Sequence, residues 1–287
     1  MKYGIVYAYW SKDWEGEYID TIYRCKRLGF DVLEIFTPLL LTLPESKLRE
    51  IKAAANDSGI ELAFLAGLSA EYDLSSNDAS VQSRGIAYVS DMLWVIYSLG
   101  GHCFSGINYT AWSGFDGFEE KPRRRENSLG SVKTLAKIAE EYGISYNLEI
   151  TNRFEQYLLN TAKEAVDFVN EVNSPNVNIL LDAFHMNIEE DSMYDAICLA
   201  GGKLGHFHVG TNNRRPPREG LMNWGQIRDG LKKINYDKII TLEPLVRTGG
   251  TVAADSKVWR DMTDNADDAG MDKAAEAGLA FMKSLMA

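Results

Sequence analysis

The sequence is poor in cysteine and histidine, has no long apolar run, and has fewer basic than acidic residues. Its three cysteines, Cys25, Cys103 and Cys198, are an odd number without CxxC spacing. They favour a reduced, cytoplasmic setting over a disulfide framework. No run reaches the roughly 18 apolar residues that a membrane-spanning helix needs. The net charge of −11 argues against a nucleic acid as partner, because phosphates favour basic surfaces.

The first residues, MKYGIVYAYW, are apolar enough to suggest a signal peptide. The segment is short, lacks a small-residue cleavage site and continues directly into SKDWEGE. We interpret it as the first strand of the fold.

Strand-like runs rich in β-branched and aromatic residues alternate with amphipathic stretches along almost the whole sequence. The strand-like runs lie at 3–9, 30–36, 60–67, 101–107, 144–150, 177–184, 204–210 and 238–245. A helix-like stretch follows each of them, the last within 270–286. This alternation is typical of a parallel sheet covered by helices, and eight units predict an α/β fold of the (β/α)₈ TIM-barrel type. No linker or change in composition divides the sequence, which predicts one domain over 1–287.

Four polar residues lie on or just after these runs: Glu149, Asp182, His208 and Glu243. They are separated by 33, 26 and 35 residues, close to the roughly 30 residues of one βαβ unit. A parallel barrel would bring such side chains together at the carboxyl ends of its strands, where these folds keep their chemistry.

Three carboxylates and one imidazole at one point predict a divalent-metal site. The acids lie within apolar runs, and a buried carboxylate is costly unless it is paired or bound to a metal. Asp182, within ILLDAF, has the greatest need of a partner. Structural zinc prefers thiolate and imidazole ligands, so Mn²⁺, Co²⁺ or Mg²⁺ suits this set of donors better.

Other polar residues near the same strand ends are open to two interpretations. In HFH, His206 and His208 share one face of a strand, and the deeper His206 is expected in the core or in support of the site. His185 follows Asp182 by three residues and can face the pocket, or it can contact loop backbone. Glu155, in NRFE after the fifth run, either reaches the site or forms a salt bridge at the start of a helix.

Two polar loops, 211–223 and 246–257, follow strands that carry proposed ligands and are expected to overhang the active face. In the first loop, one of Arg214 and Arg215 could reach an anionic intermediate, while the other is expected at the solvated surface. Three tryptophans follow the first and fourth strands, where they either form walls around a polar ligand or pack in the ordinary way: Trp10, Trp14 and Trp112.

Several long motifs extend nearly from end to end: YAYW, RLGFDVLEI, DLSS, NRFEQYLLNTAKEAVDFV, LLDAFHMNIEEDS, LGHFHVG, NRRPP, EPLV and TGGTV. Together they resemble the ketose 3-epimerases, the family of D-tagatose 3-epimerase and D-allulose (D-psicose) 3-epimerase. The resemblance implies a xylose-isomerase-like (β/α)₈ barrel that binds one divalent metal, Mn²⁺ or Co²⁺, through Glu149, Asp182, His208 and Glu243. It also implies a homodimer or homotetramer.

The resemblance further implies a substrate pocket for a small ketose. It places Glu155, His185 and Arg214 near C1 and C2 of the sugar. The remaining predicted pocket residues are Trp14, Trp112, Val6 and Gly106.

The implied reaction inverts C3 of free ketohexoses and interconverts D-fructose with D-allulose, or D-tagatose with D-sorbose. The proton at C3 is acidic only because the C2 carbonyl can accept charge as a cis-enediolate, which a metal would stabilise. Inversion needs a base on each face of the sugar, which predicts Glu149 and Glu243 as the two catalytic residues, one for each configuration. His185 and Arg214 would donate hydrogen bonds to the developing oxyanion.

Four positions depart from the family pattern. Val6 stands where many relatives carry tyrosine, Leu68 replaces a proline, Thr211 a glutamate and Leu245 an aromatic residue. None is a predicted metal ligand, so the chemistry is expected to survive. The departures bear on substrate range and rate.

Three other functions could use a barrel of this kind. An aldose–ketose or hydroxypyruvate isomerase would use the same ligands but move the proton between C1 and C2. A nuclease of the endonuclease IV architecture would gather several histidines around zinc, which four histidines and a net charge of −11 do not favour. A non-catalytic sugar-binding barrel would need no second opposed carboxylate, so the pair Glu149 and Glu243 argues against it.

Overall fold

The computed structural model describes residues 1–115 and 117–287, and within them eight parallel strands close into a barrel. In chain order, β1 to β8 are Lys2–Val6, Val32–Phe36, Glu61–Leu68, Cys103–Ala111, Ser145–Ile150, Val177–Asp182, Leu204–Val209 and Ile239–Leu242. Each strand pairs with its neighbours in sequence, and β1 pairs with β8, Lys2 opposite Ile239, to complete the ring. The predicted (β/α)₈ TIM barrel is confirmed.

Helices cover the outside of the barrel. In chain order, α1 to α11 are Tyr18–Leu28, Thr37–Leu40, Glu45–Ser58, Ala79–Leu99, Lys121–Tyr142, Ala162–Val172, Ala183–Glu189, Met193–Ala200, Trp224–Lys233, Thr251–Ser256 and Asp268–Met286. The apolar spacing seen in the sequence becomes the buried face of α1, where Tyr18, Ile22, Cys25 and Leu28 pack inward. None of the described helices is long and apolar enough to cross a membrane.

Strands β1 and β6 end earlier than their apolar runs, 3–9 and 177–184, suggest. After β1, Tyr7–Tyr9 form one turn of 3₁₀ helix, closed by a hydrogen bond from Trp10 N to Tyr7 O. After β6, the Asp182 side chain accepts the N–H of Phe184 at 3.1 Å and caps α7. The residues directly beyond these strands, Tyr7–Tyr9 and Ala183, stay buried, so hydrophobicity alone could not mark where the extended backbone stops.

The last helix is tied to the first by one buried carboxylate. Asp272 of α11 accepts hydrogen bonds from Trp10 Nε1 at 3.0 Å, Arg24 Nε at 2.6 Å and Arg27 Nη2 at 2.8 Å. Burial alone would raise the pKa of Asp272, but the hydrogen bonds from Arg27 and Arg24 outweigh it and lower the pKa.

We expect Asp272→Asn to lower the free energy of unfolding by about 1.5–3 kcal/mol at pH 7, since it weakens three hydrogen bonds to a charged group. A carboxyl with a lowered pKa stabilises the fold above its unfolded pKa and loses that effect as pH falls through the folded pKa. The difference in the free energy of unfolding between Asp272→Asn and wild type should therefore shrink below about pH 4. Urea titrations at several pH values measure it. The control Asp91→Asn, on an exposed position of α4, should stay within about 0.5 kcal/mol of wild type.

Candidate metal and active site

The four predicted metal ligands lie at the carboxyl ends of their strands. Glu149 is near the end of β5, Asp182 ends β6, His208 is near the end of β7, and Glu243 directly follows β8. Donor atoms of these residues and of His185 form two groups. One contains Glu149, His208 and Glu243, and the other contains Glu149, Asp182 and His185. The atoms of each group lie within 4.8 Å of one another. The structure thus brings these side chains together, while their role as ligands stays a prediction.

The charges of this cluster favour a cation. Burial raises the pKa of the Glu149 and Asp182 carboxyls above their ordinary values. Burial would lower the pKa of His208, but Glu34 and Glu243 outweigh it and raise the pKa well above its ordinary value. Burial would raise the pKa of Glu243, but His208 reverses the effect and holds it at about 2. The site therefore attracts positive charge, and a divalent cation would keep all three carboxyls ionised.

Three buried atoms of the cluster lack a hydrogen-bond partner among the described residues: Asp182 Oδ2, His208 Nδ1 and Glu243 Oε2. Leaving such an atom unsatisfied costs about 1–3 kcal/mol. All three belong to predicted ligands, and His208 Nδ1 lies 3.5 Å from Glu243 Oε2. Unsatisfied carboxylate and imidazole atoms that converge in this way fit Mn²⁺, Co²⁺ or Mg²⁺.

His185 projects from α7 into the same site and is oriented by Asn152. Its Nδ1 accepts hydrogen bonds from the backbone N–H of Asn152 at 3.2 Å and from its side-chain amide at 2.7 Å. Its Nε2 lies 3.1 Å from Arg214 Nη2, which is a hydrogen-bond donor. His185 Nε2 also lies 3.6 Å from both Glu149 Oε1 and Asp182 Oδ2, so the ring faces the acidic part of the cleft.

The loop after β7 turns Arg214 inward and Arg215 outward. The Arg214 guanidinium lies 3.5 Å from Glu155 Oε1 and 3.6 Å from Glu243 Oε2, and it stacks on the ring of Phe184 at 4.3 Å. Arg215 instead forms an ion pair with an exposed aspartate, Asp264. Of the two arginines, the structure selects Arg214 for the cleft.

The four departures from the family pattern occupy different environments. Thr211 O accepts the backbone N–H of Arg214, and Thr211 Oγ1 that of Arg215, both at 2.9 Å. Thr211 therefore shapes the turn that aims Arg214. Leu245 lines the cleft, whereas Leu68 is buried at the end of β3.

A cleft above the cluster has one acidic and one aromatic side. Trp14 stacks on Phe36 at a centroid distance of 5.1 Å and meets Trp112 edge to face at 6.1 Å. Trp112 Nε1 donates to Glu155 Oε2 at 3.3 Å. Trp14 is held by Asp255 of α10, which accepts its indole N–H at 2.7 Å, so the loop 246–257 does border the cleft. The remaining lining residues are Leu65, Ala66, Gly67, Ile107, Glu149, Thr151, His185, Arg214, Glu243 and Leu245.

Two predicted pocket residues do not line this cleft among the described residues: Val6 and Gly106. Val6 is buried at the end of β1 with 1% of its surface exposed. Gly106 lies opposite Ala66 in the β3–β4 pairing and has φ 114°. The contact of Val6 and Gly106 with substrate stays a prediction. The positive φ of Gly106 gives a structural reason for a glycine at this position.

We expect Gly106→Ala to destabilise the fold by about 3 kcal/mol, from backbone strain at positive φ and displacement of the neighbouring strand. A Cβ at this position would lie 2.2 Å from the Ala66 carbonyl oxygen. The matched control is Gly130→Ala in α5, where a Cβ meets no atom within 4 Å. That change should stabilise by about 0.5–1 kcal/mol. Chemical unfolding of both variants measures the difference, and equal stabilities would contradict the strain at Gly106.

Sequence reasoning missed two residues that organise the site. Asn152 orients His185, but it lies within NRFE, where only Glu155 was singled out. Glu34 of β2 is fully buried, and its Oε2 lies 3.0 Å from His208 Nε2. Its setting within VLEIF is the same signal, an acid inside an apolar run, that identified the other carboxylates.

Comparison with known proteins identifies the family of this chain. Residues 22–285 match the family model described as Xylose isomerase-like TIM barrel. The D-psicose 3-epimerase of Ruminiclostridium cellulolyticum is 42% identical over 287 residues, 100% of this chain and 98% of the relative. The D-psicose 3-epimerase of Agrobacterium fabrum is 39% identical, with 100% and 99% covered.

A solved structure shows the same likeness in three dimensions. The crystal structure of D-psicose 3-epimerase with D-tagatose from Clostridium cellulolyticum H10 matches with a TM-score of 0.97 at 42% identity, and 100% of this chain and 99% of that chain are covered. The chain therefore belongs to the xylose isomerase-like TIM barrel family and, within it, to the ketose 3-epimerases, which are isomerases.

Proposed function

We propose that this protein is a metal-dependent epimerase that inverts C3 of free ketohexoses, D-fructose and D-allulose or D-tagatose and D-sorbose. The observation that carries the proposal is the convergence of Glu149, Glu243 and His208 on one point beneath the cleft. β5 and β8, which supply the two glutamates, stand three strands apart in the ring. The glutamates therefore approach a bound sugar from different sides.

Glu149, Asp182, His208 and Glu243 are the residues that would hold the metal, Mn²⁺ with Co²⁺ or Mg²⁺ as substitutes. When bound, the metal supplies Lewis-acid polarisation of the sugar's carbonyl and stabilises negative charge at that oxygen. Three of these side chains, Asp182, His208 and Glu243, carry the unsatisfied buried atoms of the site.

The chain's own residues perform the proton transfers. One glutamate, Glu149 or Glu243, removes the C3 proton as a carboxylate. The other first takes up a proton from water and delivers it to the opposite face of the enediolate, and the first releases its proton to water after turnover. Which of the two acts first depends on the configuration at C3. His185 and the Arg214 guanidinium donate hydrogen bonds to the oxygen that gains charge.

The cleft also suits an uncharged sugar. Trp14 and Trp112 offer apolar faces, while Glu155 offers a carboxylate for hydroxyl groups. Arg214 is already engaged by Glu155 and Glu243, and the described lining includes no other arginine or lysine. A phosphorylated sugar would lack a cationic partner here, which supports free ketoses as substrates.

Deuterium incorporation tests the proposal. Protein stripped of metal and reloaded with Mn²⁺ is incubated with D-fructose in D₂O, and products are followed by NMR, with the stripped protein as control. We expect D-allulose with deuterium at C3. Deuterium at C1 with aldose formed would instead establish an aldose–ketose isomerase. Unchanged D-fructose would direct the same test to D-tagatose, and unchanged D-tagatose would refute the proposal.

A further inference from the structure

Glu34 is a buried acid that the proposed chemistry does not use. It lies in the middle of β2, in register with Val6 of β1 and Ala63 of β3, and its side chain is fully buried. An ionised carboxylate in such a place costs several kcal/mol unless it has a partner. Its partner is His208, whose Nε2 lies 3.0 Å from Glu34 Oε2.

This hydrogen bond determines which nitrogen of His208 faces the metal site. A carboxylate accepts but does not donate, so the proton of the ring lies on Nε2, between His208 and Glu34. In the neutral ring that binds a metal, the lone pair then lies on Nδ1, which has no hydrogen-bond partner among the described residues and points toward Glu243. The strands involved are β2 and β7, so the contact spans the interior of the barrel.

We infer that Glu34 is a positioning residue that holds His208 with Nδ1 directed at the metal and increases the basicity of that nitrogen through its negative charge. Carboxylates that orient metal-bound imidazoles in this way typically contribute 10–100-fold to metal affinity. The inference rests on the proposed function, because it presupposes that His208 binds a metal.

A second metal bound by Glu34, His206 and His208 is the competing interpretation, since their donor atoms also cluster. His206 argues against it. Its Nδ1 is hydrogen-bonded to Ser105 Oγ at 2.8 Å and its Nε2 to Thr241 Oγ1 at 2.7 Å. With both ring nitrogens engaged, His206 has no free atom for a metal.

Metal affinity of the Glu34→Gln variant tests the inference. Glutamine keeps the size of the side chain and an acceptor oxygen but removes the charge, so we expect Mn²⁺ to bind about tenfold more weakly in calorimetry, at the low end of the range for such partners. Activity at saturating Mn²⁺ should largely recover. The matched control is Thr241→Val, which removes a hydrogen bond to His206 at similar depth and should leave the Kd unchanged. Circular dichroism in EDTA checks that both variants fold.

The outcomes separate the two proposals. If wild type binds no Mn²⁺, the proposed function fails and this inference with it. If wild type binds Mn²⁺ and Glu34→Gln binds it equally well, only the positioning role is refuted. A stoichiometry of two Mn²⁺ in wild type that falls to one in Glu34→Gln would instead establish the second metal site.

A spectroscopic measurement on wild type decides the matter even if the variant does not fold. In ¹⁵N-labelled, Mg²⁺-loaded protein, long-range ¹H–¹⁵N correlations show which nitrogen of each histidine carries hydrogen. The chain has four histidines, so signals can be assigned by single substitutions. We expect hydrogen on Nε2 of His208; hydrogen on Nδ1 would overturn the inference.

Discussion

Glu243→Gln should lower the rate of net 3-epimerisation by roughly 10⁴-fold, the upper range for loss of an acid–base group. Glutamine keeps the shape of the side chain and one oxygen for a cation, but it cannot take up a proton. His208 holds the pKa of Glu243 at about 2, so Glu243 is ionised at neutral pH. Conversion of D-fructose to D-allulose by Mn²⁺-loaded protein measures the loss, and near-normal activity would refute the assignment of two bases.

Isotope exchange makes this prediction specific to one face of the sugar. With Glu243 disabled, Glu149 should still remove and return the C3 proton of one epimer, so that epimer gains deuterium from D₂O without inversion. In the Glu149→Gln variant, the other epimer should gain deuterium from D₂O without inversion. The control Glu276→Gln, on an exposed position of α11, should behave as wild type. Labelling of the same epimer in both variants would contradict opposed bases.

Removal of the metal should have the second largest effect. Lewis-acid stabilisation is worth several kcal/mol, so protein stripped with EDTA should be slower by roughly 10³-fold. Added Mn²⁺ should restore activity, because Asp182, His208 and Glu243 retain the unsatisfied atoms that receive it.

Addition of Mn²⁺ to the stripped protein should also stabilise the fold. Mn²⁺ at 100 times its Kd adds about 2.7 kcal/mol to the free energy of unfolding, which raises Tm by roughly 5 °C in a protein of this size. Scanning calorimetry with and without Mn²⁺ measures the shift. Glu243→Gln serves as the internal comparison, since loss of one carboxylate charge should reduce the rise in Tm that Mn²⁺ causes. Full activity in EDTA together with an unchanged Tm would contradict a metal site.

The barrel and the main cluster could be read from local patterns. Strand-forming runs and amphipathic stretches alternate at regular intervals, and this determines a closed parallel barrel whose strand ends meet at one face. An acid inside an apolar run then needs a partner wherever the strand lies, which is why Glu149, Asp182 and Glu243 stand out without a structure. Spacing and hydrophobicity are properties of the chain itself.

Contacts across the barrel depended on tertiary structure. Arg214 and Arg215 are adjacent and chemically alike, and only the turn closed by Thr211 sends the first inward and the second to Asp264. Glu34 and His208 are 174 residues apart, and no spacing rule links β2 to β7. The sequence by itself determined which side chains reach the carboxyl ends of the strands. Only the packed barrel decided which of them touch, because side-chain orientation depends on neighbours that the fold alone brings together.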